Sequence, residues 1–327
     1  MRRKITGKID EMKYRKIIFD ILVIMLAFAL FVVWEQKNIR STRPASSASF
    51  IKFYDVYLIT TDEDYQFWRL MNQGASDMAA LTGIKYYWKF PKERSTEEQI
   101  SIIQEAVENN AAALLIAADN PKRIASAVED AKARGVKIVY VDAPANEEAL
   151  TTLATDNYAA GRSAGEKMIS YLKRKGLDSG SIGIISIREK STTMQRENGF
   201  RDAFTNEQGF TILDTIYTNG KPAASQLAAE KLISQNKNLV GLFGTNEGTS
   251  EGVGYANKEN NNQFVAIAFD KSDRIKKLYD NGSLQAIIEQ NPYTMGYLGM
   301  SEAIAGILGK DTGPSEINTG YSILEKD

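Results

Sequence analysis

From Phe53 onward, short apolar runs alternate with amphipathic stretches. Residues 56–61, 84–90, 112–117, 137–142 and 153–155 read as strands, and a second set follows at 182–187, 211–217, 239–245, 264–270 and 284–290. Between them, residues 96–108, 121–134, 157–175, 222–235 and 272–280 read as helices. Ser95, with Glu98 three residues on, has the form of a capping box. Pro121 and Pro292 each stand at a first helical position, and Gly83 and Gly135 stand where helices should stop. Nearly continuous apolar strands alternating with helices predict an α/β protein whose parallel sheets are covered on both faces. Two similar sets of strands predict two doubly wound lobes, and 327 residues suffice for both.

The apolar run at 17–34, IIFDILVIMLAFALFVVW, is different in kind, interrupted only by Asp20. At ~1.5 Å per residue it reaches roughly 27 Å, the depth of a hydrocarbon core. Arg2, Arg3, Lys4, Lys8, Lys13, Arg15 and Lys16 precede it, and the positive excess lies on that side. This predicts a transmembrane helix with its N-terminus in the cytoplasm and the bulk of the chain exported. From Trp34 the chain reads WEQKNIRSTRP, where the small residues of a cleavage site do not closely follow the run, so an uncleaved anchor is expected. Residues 1–16 are then a basic cytoplasmic segment, and the polar residues 35–52 a stalk.

Composition narrows the chemistry. The chain has no cysteine and no histidine. That removes disulfides, thiolate nucleophiles, the usual zinc sites, imidazole relays and a cysteine-linked lipid anchor. A net charge of -1 offers nothing to a polyanion, so nucleic acid is not an expected partner.

In doubly wound sheets, ligands bind beyond the carboxyl ends of the strands. Those ends carry Thr61 with the following DEDYQFW, then Asp142, Asn246, Asp270 and Gln290, while Arg196 lies on the helix after the sixth strand. Sugar hydroxyls donate and accept together, and carboxylates, amides and a guanidinium complement them. Tyr65, Phe67 and Trp68 suit the C–H faces of a sugar ring. Plainer uses stand beside these. Asp142 and Asp270 can cap following segments, and Arg196 can pair with a carboxylate of its own helix. Phe67 or Trp68 can be core, Asn246 a turn former before Gly248, and Gln290 a hinge hydrogen-bonder. Asp64 and Tyr65 fit either role.

Taken in order, these residues make the chain resemble the ribose-binding-protein family of type I periplasmic binding proteins, from about Val56 to the C-terminus. VYLITTDEDYQFW resembles that family's first strand, polar turn and two aromatics, which implies Thr61, Asp64, Tyr65, Phe67 and Trp68 for the first-lobe wall. GVKIVYVDAP resembles its strand ending in a ligand-binding aspartate, here Asp142. TTMQRENGF is similar to its helix with an arginine, here Arg196. LVGLFGTNEGTSEG, FVAIAFD and LQAIIEQ resemble strands ending in Asn246, Asp270 and Gln290. Two departures argue against ribose itself. Ala143 stands where ribose binders commonly carry an arginine, and no aromatic lies around 219–221 to complete a ring sandwich.

The resemblance implies three hinge crossings, near 155–157, 290–292 and 319–322. Lobe one is then 53–155 plus 291–320, and lobe two 156–290 plus 321–327. It implies closure of both lobes over a monosaccharide, a pentose or similar, without cofactor, metal or catalysis. The expected partner is a membrane protein: an ABC permease, in import, or a sensor histidine kinase or other receptor, in signalling; the anchor favours the second. The alternatives are a binder of a non-sugar polar signal molecule and a sugar-acting enzyme. The enzyme has carboxylates but no motif for a nucleophile, phosphate cradle or metal. Transcription repressors share the fold but need a DNA-binding segment where this chain has its apolar run.

Overall fold

Every residue of strand β3 (Ala113–Ile116) is buried, because helices cover both faces of its sheet. The computed structural model that shows this describes residues 54–187 and 191–326. The apolar run at 17–34 and the stalk at 35–52 lie outside the described residues. Among the described residues, no helix is long and apolar enough to cross a membrane.

The first sheet runs β12 (Glu316–Asn318), β5 (Thr151–Ala154), β4 (Lys137–Val141), β3, β1 (Asp55–Ile59), β2 (Lys85–Lys89). All its pairings are parallel. Helices α1 (Gln66–Thr82) and α9 (Pro292–Ile307) pack Met71 and Met300 on one face, against Leu58, Leu115 and Val139. Helices α2 (Thr96–Glu108) and α3 (Pro121–Ala133) pack Ile103 and Ile124 on the other, against Ile59, Leu114 and Tyr140.

The second sheet runs β13 (Tyr321–Glu325), β11 (Ala286–Gln290), β10 (Val265–Phe269), β9 (Leu239–Gly244), β6 (Gly180–Ile187), β7 (Phe210–Ile212), with β8 (Ile216–Thr218) also paired to β6. Helices α4 (Asn157–Arg174) and α5 (Ser191–Ala203) cover one face. Helices α6 (Pro222–Gln235), α7 (Glu247–Glu259) and α8 (Asp273–Asp280) cover the other. Leaving aside the strands at 316–325 and the split of β7 from β8, each sheet orders its strands second, first, third, fourth, fifth. The order reverses between β1 and β3 and again between β6 and β9. These are the points where doubly wound sheets take ligands.

Two expectations change. The run 211–217 is not one strand: β7 pairs with Gly180–Ile182 and β8 with Ile185–Ile187. Between them the backbone is diverted to α5. Arg201 Nη2 donates to the Leu213 carbonyl at 3.1 Å, and Thr215 Oγ1 donates to Glu197 at 2.5 Å. The second sheet is also not purely parallel, since β13 pairs antiparallel with β11. The cause is the chain path. β11 leads out of this sheet into α9, and β13 returns from β12 through Thr319 and Gly320, too short a link for a crossover helix. The chain passes between the layers of the two sheets at Thr155–Asp156, at Asn291 and at Thr319–Gly320.

Candidate ligand-binding site

Strands β4 and β10 occupy corresponding positions in the two sheets, and each is followed by an aspartate in the left-handed region. Asp142 has φ 66° and Asp270 φ 69°. Such a backbone costs a non-glycine residue about 1 kcal/mol, and short polar side chains tolerate it best. Each still continues its ladder: Asp142 N–H donates to Leu153 O and Asp270 N–H to Ile288 O, both at 2.8 Å. The twist turns the two carboxylates into one cavity.

Arg196 projects into that cavity from α5 and is 3% exposed. Its helix can come that close to α4 because Gly161 has no side chain; a Cβ there would lie 2.0 Å from the Arg196 carbonyl. Arg196 Nε donates to Asn157 Oδ1 at 2.8 Å and Nη1 to the Thr245 carbonyl at 2.9 Å. The guanidinium lies 3.9 Å from the Phe269 ring centroid. Nη1 is 4.0 Å from Asp270 Oδ2, beyond direct hydrogen bonding. Burial lowers the Arg196 pKa, and the Asp270 and Asp142 carboxylates oppose that shift.

Asp270 is bound on both oxygens: Oδ2 accepts from Glu247 N–H at 3.1 Å and Oδ1 from Gln290 Nε2 at 2.7 Å. Burial pushes its carboxyl up, and Arg196, Gln290 and the Glu247 amide partly hold it down. The plain capping role belongs elsewhere, since Ser272 caps α8. Asn246 does cap α7, in a reciprocal box with Thr249, and it also lines the cavity. Arg196 is not taken by its own helix; Glu197 pairs with Arg201 instead.

The opposite wall belongs to the first sheet's helix α1. Phe67 and Trp68 both line the cavity, edge to face with centroids 4.8 Å apart. Tyr65 Oη spans to the second lobe and donates to the Gly220 carbonyl at 2.7 Å. Glu247 spans the other way. Its Oε1 accepts from Gln66 N–H at 3.0 Å and its Oε2 from Phe67 N–H at 3.1 Å. Tyr65, the N-cap of α1, makes no side-chain cap bond, so the free amides of that first turn are met by a carboxylate from the other lobe. Burial raises the Glu247 pKa to about 7, with Asp270 and Glu251 adding to it and the Phe67 and Gln66 amides opposing. These bonds hold the two lobes together over the cavity.

A family model for the periplasmic binding protein domain matches residues 56–311. The chain belongs to the periplasmic binding protein family. Among curated members of this family, a ribose import binding protein of Haemophilus influenzae is 23% identical over 249 residues, covering 76% of this chain and 84% of that one. A D-allose-binding periplasmic protein of Escherichia coli is 22% identical, covering 72% and 78%. A carbohydrate transporter solute binding protein from Agrobacterium radiobacter, solved with D-arabinose, superposes with a TM-score of 0.79 at 26% identity, covering 84% of this chain and 94% of that one.

In this binding protein, Tyr65, Phe67, Trp68, Asp142, Arg196, Asn246, Asp270 and Gln290 line one cavity. Two candidates lie apart from it. Thr61 is buried and bonded to Asp62 and to Arg94, which does line the cavity. Asp64 is exposed, its carbonyl accepts from Arg69, and it lines an adjoining pocket that shares Tyr65 and Glu247 with the cavity. The second lobe supplies Ile187, not an aromatic, to the lining. The residue types at the strand ends did not point to Glu247, Arg94, Thr192 or Thr193, which line the cavity too. Thr192 lies four residues before Arg196 in TTMQRENGF, and Glu247 directly follows Asn246 in LVGLFGTNEGTSEG.

Proposed function

We propose that this protein binds a monosaccharide between its lobes, outside the cytoplasm, without turning it over. One observation carries the reading. Arg196 Nη1 and Asp270 Oδ2 stand 4.0 Å apart at the base of a cavity walled by Phe67 and Trp68. That gap lets one hydroxyl donate to the carboxylate and accept from the guanidinium at once. Gln290 Oε1 is buried there without a hydrogen-bond partner among the described residues, a further acceptor for a ligand hydroxyl. The sugars named for the ribose, allose and arabinose binders support a neutral aldose as the ligand class. Titration calorimetry of the detergent-solubilised full chain against pentoses, hexoses, their phosphates and inositols tests this. Saturable binding of an aldose is expected. No heat across the panel sinks the reading.

The apolar run at 17–34, with its basic flank, supports a second element: a tethered subunit that hands the closed form to a membrane receptor such as a histidine kinase. A freely diffusing importer subunit has no use for a permanent tether, although tethered importer subunits also serve an ABC permease. Mass spectrometry of the mature N-terminus decides the anchor. A chain beginning beyond Trp34 is released, and signalling by tether is then wrong.

A further inference from the structure

The cavity contains a second guanidinium, and its donors are not all used. Arg94 leaves the loop between β2 and α2, immediately before the cap residue Ser95. Its Nη2 pairs with Asp62 Oδ2 at 2.6 Å and reaches Thr61 Oγ1 at 3.4 Å. Its guanidinium lies 5.9 Å from the Tyr65 ring centroid. The atoms Nε and Nη1 are buried, and among the described residues neither has a hydrogen-bond partner. Nη1 lies against Gly220, 3.6 Å from where a Cβ on that residue would stand. Arg94 therefore reaches the second lobe at Gly220, and it lines the same cavity as Phe67 and Gln290, whose Oε1 is also unpartnered among the described residues.

A guanidinium carries donors only, so its open N–H groups need acceptors. A buried N–H left without one is costly, and the cost is larger for a charged group. Asp62 Oδ2 holds one arm of the guanidinium, Nη2, and leaves the Nε and Nη1 donors for another acceptor. Charge indicates what they meet. Two guanidinium groups, Arg94 and Arg196, face three carboxylates, Asp62, Asp142 and Asp270, before Glu247 is counted. An anion gains nothing from such a balance; a neutral hydroxyl oxygen does.

Resting on the sugar reading above, we propose that Arg94 is a specificity-determining residue of the first lobe. Its unpartnered N–H groups donate to a hydroxyl oxygen at the edge of an uncharged sugar that faces the β2–α2 loop. Asp62 is a positioning residue that holds one arm of the guanidinium. Sugars lacking that oxygen are rejected by the unpaired guanidinium left behind.

The test is a cycle by calorimetry on the full-length chain: wild type, Arg94→Ala and Arg94→Lys, each against the tightest-binding aldose, its monodeoxy analogues and its uronic acid. For the wild type, removal of one particular hydroxyl weakens binding by at least about tenfold. Arg94→Ala weakens binding of the parent sugar by a similar factor, yet binds that one analogue nearly as well as wild type does. At every other position the deoxy penalty is the same in both proteins. Arg94→Lys keeps the charge and loses the planar fork of donors, and it falls between them. It also serves should the alanine variant fail to fold, and it is then expected to show a smaller penalty than wild type at that one position. Deoxy penalties identical in wild type and variants overturn this role while leaving the sugar reading intact. Tighter binding of the uronic acid that vanishes with Arg94→Ala overturns the neutral class. Absence of sugar binding by wild type overturns both.

Discussion

Glu247 Oε2 accepts a hydrogen bond at 3.1 Å from the backbone N–H of Phe67, although 180 residues separate the two. The same glutamate gives its own amide to Asp270, so one residue joins the base of the cavity to the helix that carries the aromatic wall. Its proton-binding is therefore tied to closure. Burial raises its pKa to about 7 from 4.5, so the closed, folded state holds the proton more tightly than the unfolded chain does. A raised carboxyl contributes stability that is complete below about pH 4.5 and lost as pH climbs to about 7. A few kcal/mol is the expected scale, and burial of Asp270 acts in the same direction. Thermal melts of wild type and Glu247→Gln across pH 4.5–8 isolate the effect. Wild type should lose stability relative to the variant as pH rises to about 7, and parallel curves would refute it.

Arg196 and Asp270 are buried at 3% and 6% exposure, each bonded to residues of other elements. Removing either leaves the other without its opposite charge in a buried site. Arg196→Ala and Asp270→Ala should each weaken ligand binding by a few kcal/mol, and each should destabilise the unliganded protein, by up to about 3–5 kcal/mol. Calorimetry reads the first and chemical denaturation the second. Unchanged affinity in both variants would mean that the cleft lies elsewhere.

The sequence made visible what depends on local pattern. Apolar runs such as 113–116 marked strands because both faces are covered, and Asp142, Asp270 and Gln290 stood out because they end such runs. What stayed hidden depends on approach in space. Arg94 reads as the residue ahead of a helix cap, and Glu247 as the residue after one; their place in the site comes only from lobes that meet across the cleft. Strands β12 and β13 were hidden for another reason. β12 has three residues, none fully buried, and β13 is an edge strand with only partial burial, so neither shows an apolar run. The same limit made one strand of 211–217, since only contacts with Arg201 and Glu197 reveal the break.

Gly161 sits where α4 meets α5, its missing Cβ facing the Arg196 carbonyl at 2.0 Å. Gly161→Ala would force the helices apart and move the guanidinium with them. Overpacking of this kind costs typically about 1–3 kcal/mol. The variant should melt lower than wild type and bind ligand more weakly even though no ligand-contacting atom has changed. If affinity is retained while stability falls, α5 can shift without moving Arg196, and Gly161 does not set the position of the guanidinium.

Asp142 gives the sharpest separation of stability from binding. Its φ of 66° is the conformation a Cβ disfavours, and a glycine would adopt it freely. Asp142→Ala and Asp142→Gly both remove the carboxylate, so both should lose ligand affinity to a similar degree. They differ in the backbone alone. The glycine variant should be the more stable of the two by about 1 kcal/mol, the usual cost of a Cβ in the left-handed region, less the entropy a glycine gives back to the unfolded chain. Denaturant titrations of the unliganded variants measure the difference. An alanine variant as stable as the glycine one would show that this strand end is unstrained, and that the shared left-handed turn of Asp142 and Asp270 has some other cause than aiming a carboxylate into the cavity.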